Sequence, residues 1–191
     1  MTISLTDIKM EVYLNAVWTD ITSDVLETIH VDWGIQGNGP TDRISQPGGM
    51  TFTLDNRTKK YNPDSGSFGW ARGINIKLTL TYNGEDYIRF YGRVKDIKIQ
   101  AGINDECRAK VTCTDWMEIA SMYPLEIQSQ RTNITANHAI IILLGDMVGG
   151  GIQNTDLATD TEDTFPVVFD IIKEKTTVLT EMAKLVQSEF G

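Results

Sequence analysis

Gln46-Pro47-Gly48-Gly49-Met50-Thr51-Phe52-Thr53-Leu54-Asp55-Asn56-Arg57-Thr58-Lys59-Lys60-Tyr61-Asn62-Pro63 is the stretch that decides the fold. It enters on Pro-Gly-Gly, where glycine supplies backbone conformations closed to other residues, and it leaves by Asp-Asn and a Tyr-Asn-Pro stop. Between the turns Met50, Phe52 and Leu54 alternate with Thr51 and Thr53, the period-2 pattern of a half-buried strand. Pro63 has no N–H to give a ladder, so pairing ends there. Nothing in the stretch looks catalytic.

Outward from this strand the same alternation recurs. Ile8, Met10, Val12 and Leu14 predict a first strand, and Asn15 to Asp20 a turn and short return. Val25, Glu27, Ile29, Val31, Trp33 and Ile35 predict one long strand with these residues on its inner face. Gly34, Gly37, Gly39 and Pro40 break it, and a polar loop, Gly37 to Gly49, leads into the opening stretch. A second loop, Asp64 to Gly73, carries Phe68 and Trp70, placed either as a contact surface or folded back over the end of the strands. Ile74 to Tyr82 gives another strand, and Asn83-Gly84 a tight hairpin, because both positions tolerate positive φ. On the return Ile88, Phe90, Gly92 and Val94 are in phase, whereas Ile97 and Ile99 are out by one, which predicts a β-bulge near Lys95-Asp96. A turn over Gly102 to Asp105 leads to a last strand with Cys107, Ala109, Val111 and Cys113.

The period changes at Asp115. A short helical turn over 115–120 and one more strand from Leu125 to Arg131 precede a helix from Thr135, with Ala136, Ile140, Ile141, Leu144 and Met147 as its stripe. Gly149-Gly150-Gly151 stops it, 154–164 reads as an acidic surface loop, and a final helix begins at Thr176 or Thr177 with Val178, Met182, Leu185 and Val186 inward. Two such helices cannot make a core alone and need something to pack on. The expected class is α+β, mainly β: a small antiparallel β-barrel over residues 1–120, then a mixed α/β segment with two helices over 121–191.

Composition narrows the function. A net charge of −9 argues against general nucleic-acid binding, which needs a basic face. The longest apolar cluster, Ala139 to Leu144, is far shorter than a membrane span, and residues 1–10 lack the pattern of a secretion signal. Cys107 and Cys113 share a strand face about 20 Å apart, too far for a disulfide, and read as core thiols of a protein made in a reducing cytosol.

The candidate chemistries fail on spacing. His30 and His138 with the two cysteines have no metal-ligand spacing, so no metal and no cofactor is expected. Cys113 with His30 and Asp32 would be a nucleophile and base only if the thiol left its apolar face. The pairs Asp55 with Asp64 and Glu85 with Asp86 sit in turns, where Asp and Asn serve local hydrogen bonds; a hydrolase would have to use them. Gly149-Gly150-Gly151 follows a helix rather than opening one, so it is no phosphate loop, and Arg57, Lys59 and Lys60 are too few for nucleic acid. A carbohydrate-binding β-domain would stack sugars on Trp18, Trp33, Phe68 and Trp70. Trp33 falls on the apolar face and is expected in the core, which leaves Trp70 best placed.

With the strands placed, the order of motifs becomes informative: Pro-Gly-Gly-x-Thr-Phe-Thr-Leu-Asp-Asn, Lys60-Tyr61-Asn62-Pro63, Gly73 to Leu78, Phe90-Tyr91-Gly92-Arg93-Val94 and Val111 to Asp115. It resembles the N-terminal part of bacteriophage tail proteins of the baseplate-hub type, across most of residues 8–120. The resemblance implies a structural protein and no enzyme: a homotrimer whose barrels build a ring between tail tube and tip or fibres. It implies distal-tail, tape-measure and fibre proteins as partners, a place in the virion tail, and assembly in the bacterial host cytoplasm. Residues 121–191 would open a second hub domain. Hub proteins continue well past the point where this chain stops, so a fragment or a short relative is expected. The loops supply the expected inter-subunit contacts, Gln46, Phe68, Trp70 and Arg72.

Overall fold

A computed structural model describes residues 8–26, 28–35, 45–65, 68–102, 107–125, 128–145, 147, 164–169 and 176–189. The chain divides into two units, one of Met1–Trp33 with Pro47–Asp115, the other of Gly34–Gln46 with Trp116–Gly191.

The first unit is built on a seven-stranded antiparallel sheet. Its strands are β1 (Ile8–Leu14), β2 (Val17–Asp20), β3 (His30–Gly34), β4 (Gln46–Asp55), β5 (Asn75–Tyr82), β6 (Glu85–Gln100) and β7 (Arg108–Thr114), in the spatial order β2-β1-β5-β6-β7-β4-β3. Local chemistry makes the hairpins. Asn15 (φ 49°) and Ala16 (φ 64°) turn β1 into β2, and Asn83 (φ 53°) and Gly84 (φ 82°) turn β5 into β6. Both are two-residue turns with positive φ, which match the right-handed strand twist. Alternation then buries one face: Met10, Val12, Met50, Phe52, Leu54, Ile76, Leu78, Phe90, Val94, Ala109, Val111 and Cys113 form a single apolar cluster.

β6 is the longest strand and serves two neighbours in succession. Its residues Glu85–Arg93 pair with β5, and Arg93–Gln100 pair with β7. The expected bulge is there, between Val94 and Asp96. It returns Ile97 to the apolar cluster after Lys95.

Two strand expectations need correction. A further irregularity sets Leu78 opposite Phe90 but Thr79 opposite Ile88, so Arg89 is an extra residue. Ile88 is thereby turned out of phase with Phe90 and is 58% exposed. The long strand over Val25–Ile35 is also broken. The Asp20 carboxylate accepts from the N–H and hydroxyl of Thr22, a short 3-10 turn covers Thr22–Asp24, and among the described residues, which leave out Glu27, only Val25 bridges, to Leu54, before β3 begins at His30. β3 ends the sheet. The apolar cluster reaches Val25, Ile29 and Val31 but not Trp33, which is 60% exposed rather than in the core.

The second unit contains α1 (Trp116–Met122), the two-residue strands β8 (Ile134–Thr135) and β9 (Thr164–Phe165), α2 (Ala136–Gly145) and α3 (Val178–Glu189). Thr135 caps α2 by accepting from the His138 N–H, and Thr177 caps α3 by accepting from that of Thr180. Val178, Met182 and Leu185 are buried with Ala120, Ala139 and Leu143. The described residues of the strand expected over Leu125–Arg131 form none. Single bridges occur instead at Pro124–Thr177 and Arg131–Val168, flanking the β8–β9 pair. Most of the Gly102–Asp105 turn, the Gly149-Gly150-Gly151 stop and most of the 154–164 loop lie outside the described residues.

Candidate assembly surface

The polar side chains of the deciding stretch are spent on holding its own turn. Asn56 is fully buried: its side-chain oxygen accepts from the Tyr61 N–H (2.8 Å), its amide faces the Cys107 sulfur (3.6 Å), and its backbone N–H reaches the Cys107 carbonyl. That closes the 56–61 turn on Asn56 and ties Asn56 to Cys107, the residue before β7. Tyr61, also fully buried, donates its hydroxyl to Asp24, which takes a second bond from Lys60 Nζ at 2.8 Å. Burial would lift the Asp24 carboxyl, but the Lys60 and Tyr61 bonds outweigh it and hold the group below the usual aspartate range. The Tyr61 hydroxyl is pushed far up by its burial and by Asp24, so it stays protonated.

The entry to β4 is fixed as tightly. Gly48 donates its N–H to the Asp115 carboxylate (2.7 Å), and the Asp115 N–H returns a bond to the Gly48 carbonyl (3.0 Å). A Cβ on Gly48 would meet that carboxylate oxygen at 2.8 Å, so a side chain there would push the Asp115 carboxylate off this bond. Gly92 is more constrained still, because a Cβ there would overlap the Thr114 carbonyl oxygen and touch the Phe90 ring at 2.9 Å.

The four residues expected to meet a neighbour fare differently. Trp70 is 2% exposed and packs edge-on against Tyr61, with ring centroids 5.1 Å apart; its Nε1–H has no partner among the described residues. The loop folds its aromatics back over the sheet, so the Trp70 ring offers no surface. Phe68 is half-buried, edge-on to Tyr61 with Lys60 Nζ 4.5 Å above its ring. Arg72 is exposed but anchored, its guanidinium 2.6 Å from Asp96 in the β6 bulge. Gln46 is exposed at the start of β4.

Sequence reasoning missed a second surface on the outer side of β2, β1, β5 and β6. Glu11 is buried there, although it faces away from the apolar cluster, with Lys9 at 2.9 Å and Lys77 at 3.0 Å. Burial would raise its carboxyl, yet the two lysine bonds keep it below the ordinary glutamate value. Lys77 Nζ lies 4.5 Å over the Trp18 ring, and Trp18 contacts Tyr13 and Tyr91 at tilts of 52° and 60°. At the far end of the β5–β6 hairpin Tyr82, Tyr87 and Ile88 are exposed. Asn83-Gly84 locates that tip in the sequence, but no residue pattern announces the Arg89 bulge that exposes Ile88.

The residues weighed for chemistry do not converge. Cys113 is buried in the core, where burial pushes its thiol up, and β4 separates its strand from that of His30 and Asp32. Asp55 is bound by Arg57, Glu85 accepts from Tyr87, and Asp86 accepts from Thr81. Among the described residues no three His, Cys, Asp or Glu side chains gather as for a metal ion, and no helix is long and apolar enough to cross a membrane.

This fold, a seven-stranded antiparallel sheet with a small α/β unit, is similar to that of two solved tail proteins. The tail protein from Neisseria meningitidis MC58 superposes with a TM-score of 0.62 at 10% identity, over 95% of this chain and 45% of that one. The 43 kDa tail protein of prophage MuSo2 from Shewanella oneidensis superposes with a TM-score of 0.56 at 14% identity, over 94% of this chain and 48% of that one. The chain thus spans less than half the length of either structure. At such identities the likeness is one of fold. Neither a family model nor a curated protein matches the sequence.

Proposed function

We propose that the protein is a structural component of a phage tail tip or baseplate hub. Copies of it, three in the simplest ring, join the tail tube to the tip or fibres. The observation that carries this reading is the fold likeness to two tail proteins across 94% and 95% of the chain. The turn chemistry supports it: the buried polar residues of the β4 stretch fix shape, as a wall that bears neighbours requires. In the ring the twisted sheet curls into a barrel wall, and residues 121–191 open a second hub domain. Arg72, Gln46 and the exposed edge of Phe68 meet the adjacent subunit, while Trp70 braces the loop from within.

Its partners in this reading are further copies and the distal-tail, tape-measure and fibre proteins of the same particle. Its place is the virion tail, assembled in the host cytoplasm, and it catalyses nothing. Disrupting its gene in the phage or prophage that carries it should give capsids without complete tails. Normal infectious particles from the disrupted strain would overturn the proposal.

A second reading, a carbohydrate-binding domain, draws on the exposure of Trp33. Sugar stacking favours a flat platform. Trp70 is buried, and Trp18 is tilted against its neighbours and capped by Lys77. A glycan array without signal above background would remove this reading.

A further inference from the structure

The 16 residues of β6 carry two exposed surfaces of opposite charge, one toward each end. At its start β6 pairs with β5 up to the Asn83-Gly84 turn, whereas β1 accompanies β5 only as far as Leu80. Beyond Leu80 the hairpin is a two-stranded ribbon among the described residues, and every residue from Thr81 to Arg89 is exposed. Two strands alone are marginal in water. Residues 78–88 include Glu85 and Asp86 but no lysine or arginine. Beside these acids Tyr82 is 50% exposed, Tyr87 40% and Ile88 58%. Carboxylates next to open tyrosine rings suit a cationic partner, by ion pairing and through the ring faces.

Toward the other end of β6 the outward positions are Asp96, Lys98 and Gln100, and those of β7 are Arg108, Lys110 and Thr112. Lys98 stands directly opposite Lys110, and like charges so placed weaken a sheet. The acids nearby are taken: Arg72 holds Asp96 at 2.6 Å, and Arg57 holds Asp55, the cross-strand neighbour of Arg108. Lys98 Nζ stays 4.0 Å from Asp96, Lys110 has no ion pair among the described residues, and both lysines are exposed. This end of the sheet is basic in a chain of net charge −9.

The two surfaces cannot meet within one chain. Asp86 and Lys98 lie 12 positions apart on one strand, about 40 Å of extended backbone and far beyond the reach of their side chains. We infer that the β5–β6 hairpin tip of one copy docks on the basic face around Lys98 and Lys110 of the next. The inference rests on the reading of the chain as a ring component of a tail, and it names the surfaces that join its copies. Glu85 and Asp86 meet the two ammonium groups and relieve their mutual repulsion, while Tyr82 and Tyr87 lie against the lysine stems. Such a contact is head-to-tail, the kind that repeats from copy to copy until it closes a ring.

The test uses tail particles purified from the phage that encodes the chain, carrying Asp86→Cys together with Lys110→Cys. Oxidation should link copies into dimers and longer ladders on a non-reducing gel, with mass spectrometry joining positions 86 and 110. Asp86→Cys alone, which keeps Cys107 and Cys113, should give no ladder. In parallel, Lys98→Glu with Lys110→Glu, or Glu85→Lys with Asp86→Lys, should each lower particle yield by about tenfold or more, because like charges then face each other. Combining both pairs should restore the yield, a recovery that a folding defect would not show. Particles that contain the chain but give no 86–110 link between copies overturn this inference and leave the tail assignment standing. Normal yield from either reversed pair, or no recovery in the fourfold variant, does the same. A chain absent from the particles overturns both.

Discussion

The Tyr61 hydroxyl donates to the Asp24 carboxylate, joining two residues 37 positions apart in the chain. Through this bond the turn that ends β4 holds the 3-10 turn between β2 and β3. Removing the hydroxyl with Tyr61→Phe leaves a partly buried carboxylate with Lys60 as its remaining strong donor. The expected loss is about 1–3 kcal/mol in urea unfolding, with an unchanged denaturant slope. A loss under about 0.5 kcal/mol would mean that the bond is not a structural tie.

The same carboxylate sets an acid limit. Asp24 and Glu11 are held below their ordinary values of 3.8 and 4.5 in the folded chain. For a depressed carboxyl the stabilisation is complete above the ordinary value and is lost as pH falls through the folded one. Their contribution to unfolding free energy should therefore be full and independent of pH above about pH 6, and should fall steadily below the ordinary carboxylate range. Asp24→Asn should lower stability at neutral pH and flatten the acid limb. A variant with an unaltered acid limb would exclude Asp24 as a contributor.

Gly92 and Gly84 separate two reasons for glycine. Gly92→Ala places a methyl against the Thr114 backbone within the sheet and should cost about 3 kcal/mol or more, seen as insoluble or poorly folded protein. Gly84 has φ 82° and open space around it, so Gly84→Ala strains only the hairpin and should cost about 1–2 kcal/mol. Equal effects in thermal melts would contradict this division.

Trp70 and Arg72 divide in the same way between stability and assembly. Trp70→Ala empties a buried site against Tyr61 and should cost about 3–5 kcal/mol. Arg72→Ala breaks an exposed ion pair worth at most about 1 kcal/mol, so its folding should barely change while association of copies weakens. Sedimentation velocity on both variants, alongside melting curves, checks the split.

What the sequence disclosed follows from how local each signal is. Asn83-Gly84 and the phase slip between Val94 and Ile97 are written in neighbouring residues, and the structure has the hairpin and the bulge at those places. Arg89 carries no such mark. Leu78 and Phe90 alternate in register with their neighbours, so the extra residue is visible only once β5 and β6 are paired. Trp33 alternates as a buried residue should, yet the end position of β3 exposes it, and strand order lies beyond periodicity. Phe68, Trp70 and Arg72, expected to meet a neighbour, sit in a stretch rich in turn formers. That Trp70 turns inward depends on Tyr61, nine positions earlier, offering it a ring edge.

Electron cryomicroscopy of the intact tail tip tests the central claim most directly. The account predicts a ring at the junction of tube and tip in which each subunit contains the seven-stranded sheet, with Arg72 and Gln46 at the boundary between subunits. A tip whose ring contains no such sheet, or a tail from which the chain is absent by mass spectrometry, would contradict it.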